Sequence, residues 1–161
     1  MYFLENKSDA TRATEQFLAD TAPYGSVKRL RSDNGGEYIS EEFKSLLLKN
    51  HIKHETSAPY SPHQNGTAER AWRSIFDMVR CLLIDAELPK QFWTYAVMTS
   101  AHIRNRCYIP RTGKNPYECL TGITPNLSHM HVFGSVCYAY VQNTTKLNPS
   151  AEKGIFVGYD R

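Results

Sequence analysis

The stretch from Thr67 to Ala86 constrains this chain more than any other. Trp72, Ile75, Phe76, Val79, Leu82 and Leu83 recur at the i, i+3, i+4, i+7 spacing of one helix face. Thr67 offers an N-cap side chain. Just before it, Ala58-Pro59-Tyr60-Ser61-Pro62-His63-Gln64-Asn65-Gly66 carries two prolines and a glycine and reads as a loop. A long helix with one apolar stripe has to bury that stripe against other layers. The residues upstream supply them. A Ser8-Asp9 start signal leads a helix through Ala10, Ala13, Phe17 and Leu18, broken at Pro23-Tyr24-Gly25. Val27 to Ser32 reads as a strand closed by the turn Asp33-Asn34-Gly35-Gly36. A helix from about Ser40, with Phe43, Leu46 and Leu47 on one face, precedes a short strand from Ile52 to Ser57. This alternation predicts a mixed α/β layer fold. Tyr2 and Leu4 resemble the end of a further strand.

Downstream, Pro89 separates the long helix from another that carries Phe92, Trp93, Ala96, Val97 and Ile103. Trp72 and Trp93 are both expected on core faces. Asn115-Pro116 supplies an N-cap and an N1 proline for a short helix ending at Gly122. After Ser128 the texture changes: Val132, Phe133, Val136, Tyr138, Tyr140 and Val141, then Ile155, Phe156 and Val157, read as short strands of a small β module. With 41% hydrophobic and 22% charged residues the composition is that of a globular protein, not a disordered tail. The net charge of +3 permits a nucleic-acid partner without requiring one. The cysteines (Cys81, Cys107, Cys119, Cys137) are too sparse for a disulfide scaffold, and no apolar run approaches a membrane span. The expectation is an intracellular protein with no membrane partner.

Two acids carry the chemistry. Glu69 stands three positions before Trp72 and seven before Phe76, on the stripe expected to be buried. A carboxylate there needs a cationic partner, or serves to answer the positive end of the helix dipole. Asp33 stands where a strand meets a glycine turn, a position suited to function on an α/β sheet and equally to a plain Asx turn. A helix, a strand and a Pro-Gly loop fill the 35 residues between the acids. Two carboxylates brought together repel unless one is protonated or a divalent metal lies between them.

The strings Arg31-Ser32-Asp33-Asn34-Gly35-Gly36-Glu37-Tyr38 and Ala58-Pro59-Tyr60-Ser61-Pro62-His63-Gln64-Asn65-Gly66-Thr67-Ala68-Glu69-Arg70 closely resemble the integrase catalytic core of Ty1/copia-type retrotransposons. Leu88-Pro89-Lys90-Gln91-Phe92-Trp93, Asn115-Pro116-Tyr117-Glu118, Val132-Phe133-Gly134 and Lys153-Gly154-Ile155-Phe156-Val157-Gly158-Tyr159 extend the likeness over nearly the whole chain. The resemblance implies an RNase H-like core over residues 1–127, lacking its opening strands, followed by a partial SH3-like β module over 128–161. It also implies metal-dependent polynucleotidyl transfer, in which three carboxylates hold Mg²⁺ or Mn²⁺. Asp33 would be the second acid and Glu69 the third. The family's first aspartate lies on a strand upstream of the segment matching Tyr2-Phe3-Leu4, so metal is expected to bind weakly. His51-x-x-His54 has no cysteine pair at ligand spacing and does not replace a zinc site.

The resemblance further implies DNA partners, both retroelement ends and target DNA, contacted by Tyr60, His63, Gln64 and Asn65 of the loop and by Arg70 and Arg73 of the helix. Self-association is among its implied partnerships, and a small-molecule substrate is not. The nucleus is the implied place of integration, with the cytoplasm otherwise. Lys90, Arg104, Arg106, Arg111 and Lys114, with no acid between Glu87 and Glu118, form either a phosphate-binding stripe or a solubilising surface. The rival to an integrase fragment is a non-catalytic DNA-binding or protein-interaction remnant retained by a host.

Overall fold

A computed structural model of the chain describes residues 1–57, 66–142, 145 and 149–159. They form two compact units, Met1–Trp72 and Arg73–Arg161. The first unit opens with a 3-10 turn, Lys7–Asp9, in which the Asn6 amide donates to Asp9 Oδ2 at 2.9 Å. Helix α1, Ala10–Thr21, follows and gives way to a 3-10 turn containing Pro23. Tyr2 and Leu4 belong to no strand; the Tyr2 hydroxyl donates to Asp20 Oδ2 at 2.6 Å.

Strand β1, Arg29–Ser32, leads through the short helix α2, Gly36–Ile39, and helix α3, Glu41–Lys49, to strand β2, Lys53–Thr56. The strands pair in parallel, with Arg29 opposite Lys53 and Ser32 opposite Thr56. A parallel pair needs a crossover connection, and α3 lies within it. Ser40 caps this helix by accepting from the Phe43 amide at 3.3 Å. Phe43 and Leu47 then point into the core, where Phe43 is fully buried beside Ile52, with Leu18, Val27, Leu30 and Tyr38 packed around them. Outward-facing Arg29 and Arg31 flank Glu55 at 3.7 and 2.9 Å. The hydrogen bond from Arg31 is the main reason the Glu55 carboxyl lies below the usual carboxylate range.

Helix α4, Gly66–Asp85, begins two residues earlier than a Thr67 cap would place it, so Thr67 lies inside its first turn instead of capping it. Within the second unit Ile75 and Val79 of α4 are buried, as are Ala96, Val97, Thr99 and Ser100 of helix α5, Trp93–Arg106, and Phe133. The expectation that Trp72, Phe76 and Trp93 are core residues is corrected: they are 51%, 40% and 45% exposed. Periodicity marked the apolar stripe correctly but says nothing of how much of it is covered. Helix α6, Pro116–Thr121, is capped by Asn115 Oδ1, which accepts from the Glu118 amide at 2.8 Å, and ends at Gly122 with a φ of 74°.

Strands β3, Val136–Tyr140, and β4, Ala151–Ile155, pair antiparallel. Val132, Phe133, Phe156 and Val157 fall outside them, in tight connections. Gly134 donates to the Phe156 carbonyl and Phe156 to the Ser135 carbonyl, both at 2.8 Å. Gly134 has a φ of 80°, and a Cβ there would run into Ala86. The following residues fold onto α5, where Tyr159 stacks on His102 with centroids 3.9 Å apart. The Tyr159 hydroxyl accepts from the His131 amide at 3.1 Å and donates to its carbonyl at 3.3 Å. Burial, reinforced by the positive charges of Arg106 and His129, pushes the His102 pKa down to about 4.

Candidate active site

The β1 register determines where Asp33 falls. Leu30 and Ser32 face inward while Arg29 and Arg31 face out, and the strand ends as the chain turns at Asp33. The turn is tied down on three sides. Asp33 Oδ1 accepts from the Gly35 amide at 3.1 Å, an Asx turn. Asn34 Nδ2 donates to the Ser57 carbonyl at 2.8 Å, and the Ser57 amide donates to the Ser32 carbonyl at 3.0 Å. The Ser32 hydroxyl donates to the Asp33 carbonyl at 2.8 Å and lies 2.8 Å from His54 Nε2.

Glu69 sits in the first turn of α4, where the helix N-terminus favours a carboxylate. Its side chain is exposed, which corrects the expectation of a buried acid. The same end of the stripe leaves Trp72 half-exposed. Asp33 and Glu69 line one open cavity of about 410 Å³, together with Leu30, Arg31, Ser32, Tyr38, Phe43 and Trp72. Burial, with the negative charges of Glu37 and Asp33, raises the pKa of the Tyr38 phenol.

The donor set suits a hard divalent cation: carboxylate oxygens from two elements, one of Asp33's oxygens already oriented by a backbone amide. No group of three or more metal-ligating side chains is found among the described residues. Both candidate acids thus lie along one cavity. Of the residues expected at DNA, Arg70 and Arg73 are exposed on α4. Tyr60, His63, Gln64 and Asn65 lie outside the described residues. The basic stripe expected between residues 90 and 114 is partly used up internally. Arg106 lies over the Tyr117 ring at 4.9 Å and donates to the His102 carbonyl, and Lys114 is 3.5 Å from Glu118. Sequence reasoning missed Tyr38, Asn34 and the Ser32–His54 contact. Local sequence offers His54 only as part of a His-x-x-His spacing, and the strand register that pairs it with β1 is not written there.

Residues 2–62 match the family model described as Integrase core domain. The chain carries an integrase core of retrotransposon type. It is 38% identical over 99% of its length to the retrovirus-related Pol polyprotein from transposon TNT 1-94 of Nicotiana tabacum, and 36% identical over 83% to that from transposon RE2 of Arabidopsis thaliana. The chain spans only 12% and 9% of the length of those polyproteins. Its fold is similar to that of the HTLV-2 integrase catalytic core domain, with a TM-score of 0.55, 22% identity and 71% of each chain covered. That protein was solved in complex with magnesium, in a trimeric form. The likeness bears out the RNase H-like α/β architecture. Among the described residues no helix is long and apolar enough to cross a membrane.

Proposed function

We propose that this integrase core, of copia type, serves DNA integration, with Asp33 and Glu69 holding Mg²⁺ or Mn²⁺ at the cavity they share. The observation that carries this reading is that both acids, from separate elements, line the same cavity. When bound, such ions activate an attacking hydroxyl or water and stabilise the leaving oxygen of a phosphodiester. The chain's own contribution is to orient the two carboxylates. Arg70 and Arg73 contribute phosphate contacts that fix the register of DNA without reading its sequence. The substrates are retroelement ends and target DNA, and assembly with further copies matches the trimeric form of the HTLV-2 core. In this reading the core runs over residues 1–127, an SH3-like module begins at 128, and the chemistry takes place in the nucleus.

The test is a Mn²⁺ titration beside a nicking and strand-transfer assay on short retroelement-end DNA, comparing the chain with Glu69→Gln. Weak metal binding that the variant loses is the expected result. Full strand transfer would also need the first aspartate, which the resemblance puts on an earlier strand. Metal binding indifferent to Glu69→Gln would overturn the site. DNA binding that persists without any metal effect would favour a non-catalytic remnant instead.

A further inference from the structure

We infer that His54 is a positioning residue for Asp33, acting through the Ser32 hydroxyl; this rests on the metal-holding role proposed for Asp33. A serine hydroxyl has one proton, and the Asp33 carbonyl 2.8 Å away can only accept it. The contact of 2.8 Å between Ser32 Oγ and His54 Nε2 is therefore made by a proton on Nε2, donated into the hydroxyl. The result is a directed chain from Nε2–H to Oγ, and from Oγ–H to the Asp33 carbonyl. It is not a nucleophile–base pair, since Ser32 has committed its proton elsewhere and is only 6% exposed.

The chain acts on the acid because that carbonyl belongs to the peptide linking Asp33 to Asn34. Fixing its direction fixes the backbone from which Asp33 Oδ1 reaches the Gly35 amide and Asn34 reaches Ser57. His54 is itself held. Its ring lies 5.6 Å from that of the fully buried Phe43, and β2 pairs it with Leu30 of β1. Part-buried hydrogen bonds of this kind are costly to leave half-made. Unlike Ser32, Asp33 and Phe43, His54 does not line the cavity. It orients the carboxylate from behind without touching anything bound in front.

The test uses the full chain with Mn²⁺ as probe, reading the broadening of backbone amide resonances near Asp33 and Glu69 and the chemical shift of the Gly35 amide. His54→Leu and Ser32→Ala are expected to weaken Mn²⁺ binding roughly tenfold, the lower end of what orienting partners contribute at metal sites. Both should also shift the Gly35 amide while the melting transition stays cooperative. His54→Gln keeps a donor and is expected to stay within about threefold of the parent. Native Mn²⁺ affinity and a native Gly35 shift in His54→Leu would overturn the inference. So would a His54→Gln variant as impaired as His54→Leu, because ring packing would then be the whole effect. If His54→Leu does not fold, the smaller Ser32→Ala change decides by the same two readouts. Failure of the metal role looks different: the parent chain shows no broadening at Asp33 or Glu69, and the Gly35 shift alone then decides on His54.

Discussion

The turn after β1 and the segment after β4 are held by different means. At Asp33 the chain is stitched by hydrogen bonds from short polar side chains, among them Ser32, Asn34 and Asp33 itself. At Phe156–Tyr159 rings and absent side chains add to the hydrogen bonds made by Phe156 and Tyr159. Tyr159 stacks on His102, Phe156 meets His131 edge-on at 5.5 Å, and Gly134 and Gly158 admit backbone where a Cβ would collide with Ala86 or Thr99. Directional bonds fix where a carboxylate points, which a metal site requires. Ring stacking and close backbone approach fix a segment's depth.

The largest expected effect falls on the ring-and-glycine side. Gly134→Val puts a branched side chain at a φ of 80° and into Ala86, and should destabilise the chain by about 2–4 kcal/mol in urea titration. A loss below half a kilocalorie would mean that the connection moves aside and that the close fit is unimportant.

Acid sharpens the contrast next. His102 has a folded-state pKa of about 4 against an ordinary 6.5, so between those values the unfolded chain binds the extra proton. Its contribution to stability is complete above pH 6.5 and is lost as the pH falls towards 4. The loss is on the order of 1 kcal/mol once solvent screening of the half-exposed ring is allowed for. His102→Phe keeps the stack without the proton and should flatten this part of the profile. An unchanged slope would assign it to other groups.

The smallest effect belongs to the stitched turn. Asn34→Ala removes one bond among several and should cost about 0.5 kcal/mol, while speeding hydrogen exchange at Gly35 and Ser57. Exchange unchanged at both amides would show that the Asn34 bond does not brace the turn.

Much of this was legible before the structure. Strands near 29–32 and 53–56, the capped helix from Ser40, the long helix through Val79 and the Asn115-Pro116 start all follow from local signals acting over a few residues. Asp33 and Glu69 stood out because a turn acid and a helix-start acid are local features too. The exposure of Glu69, Trp72 and Phe76 was not legible, since it depends on what lies against them. Neither was the grouping of His102, His129, His131 and Tyr159, drawn from a helix and two distant connections with no shared period. His54 was visible as a residue but not as a partner of Ser32.

The parallel pairing of Arg29 with Lys53 has a consequence for the order in which the molecule takes shape. The crossover between β1 and β2 is short and contains the helix that buries Phe43 and Leu47, so closing it carries a small entropic cost and is rewarded at once by core contacts. During synthesis the Asp33 turn acquires its braces once Ser57 has emerged. Gly134 must wait for Phe156, far beyond Ser57 in the sequence, before its amide finds an acceptor. The acid turn is thus completed before the aromatic clasp as the chain is made.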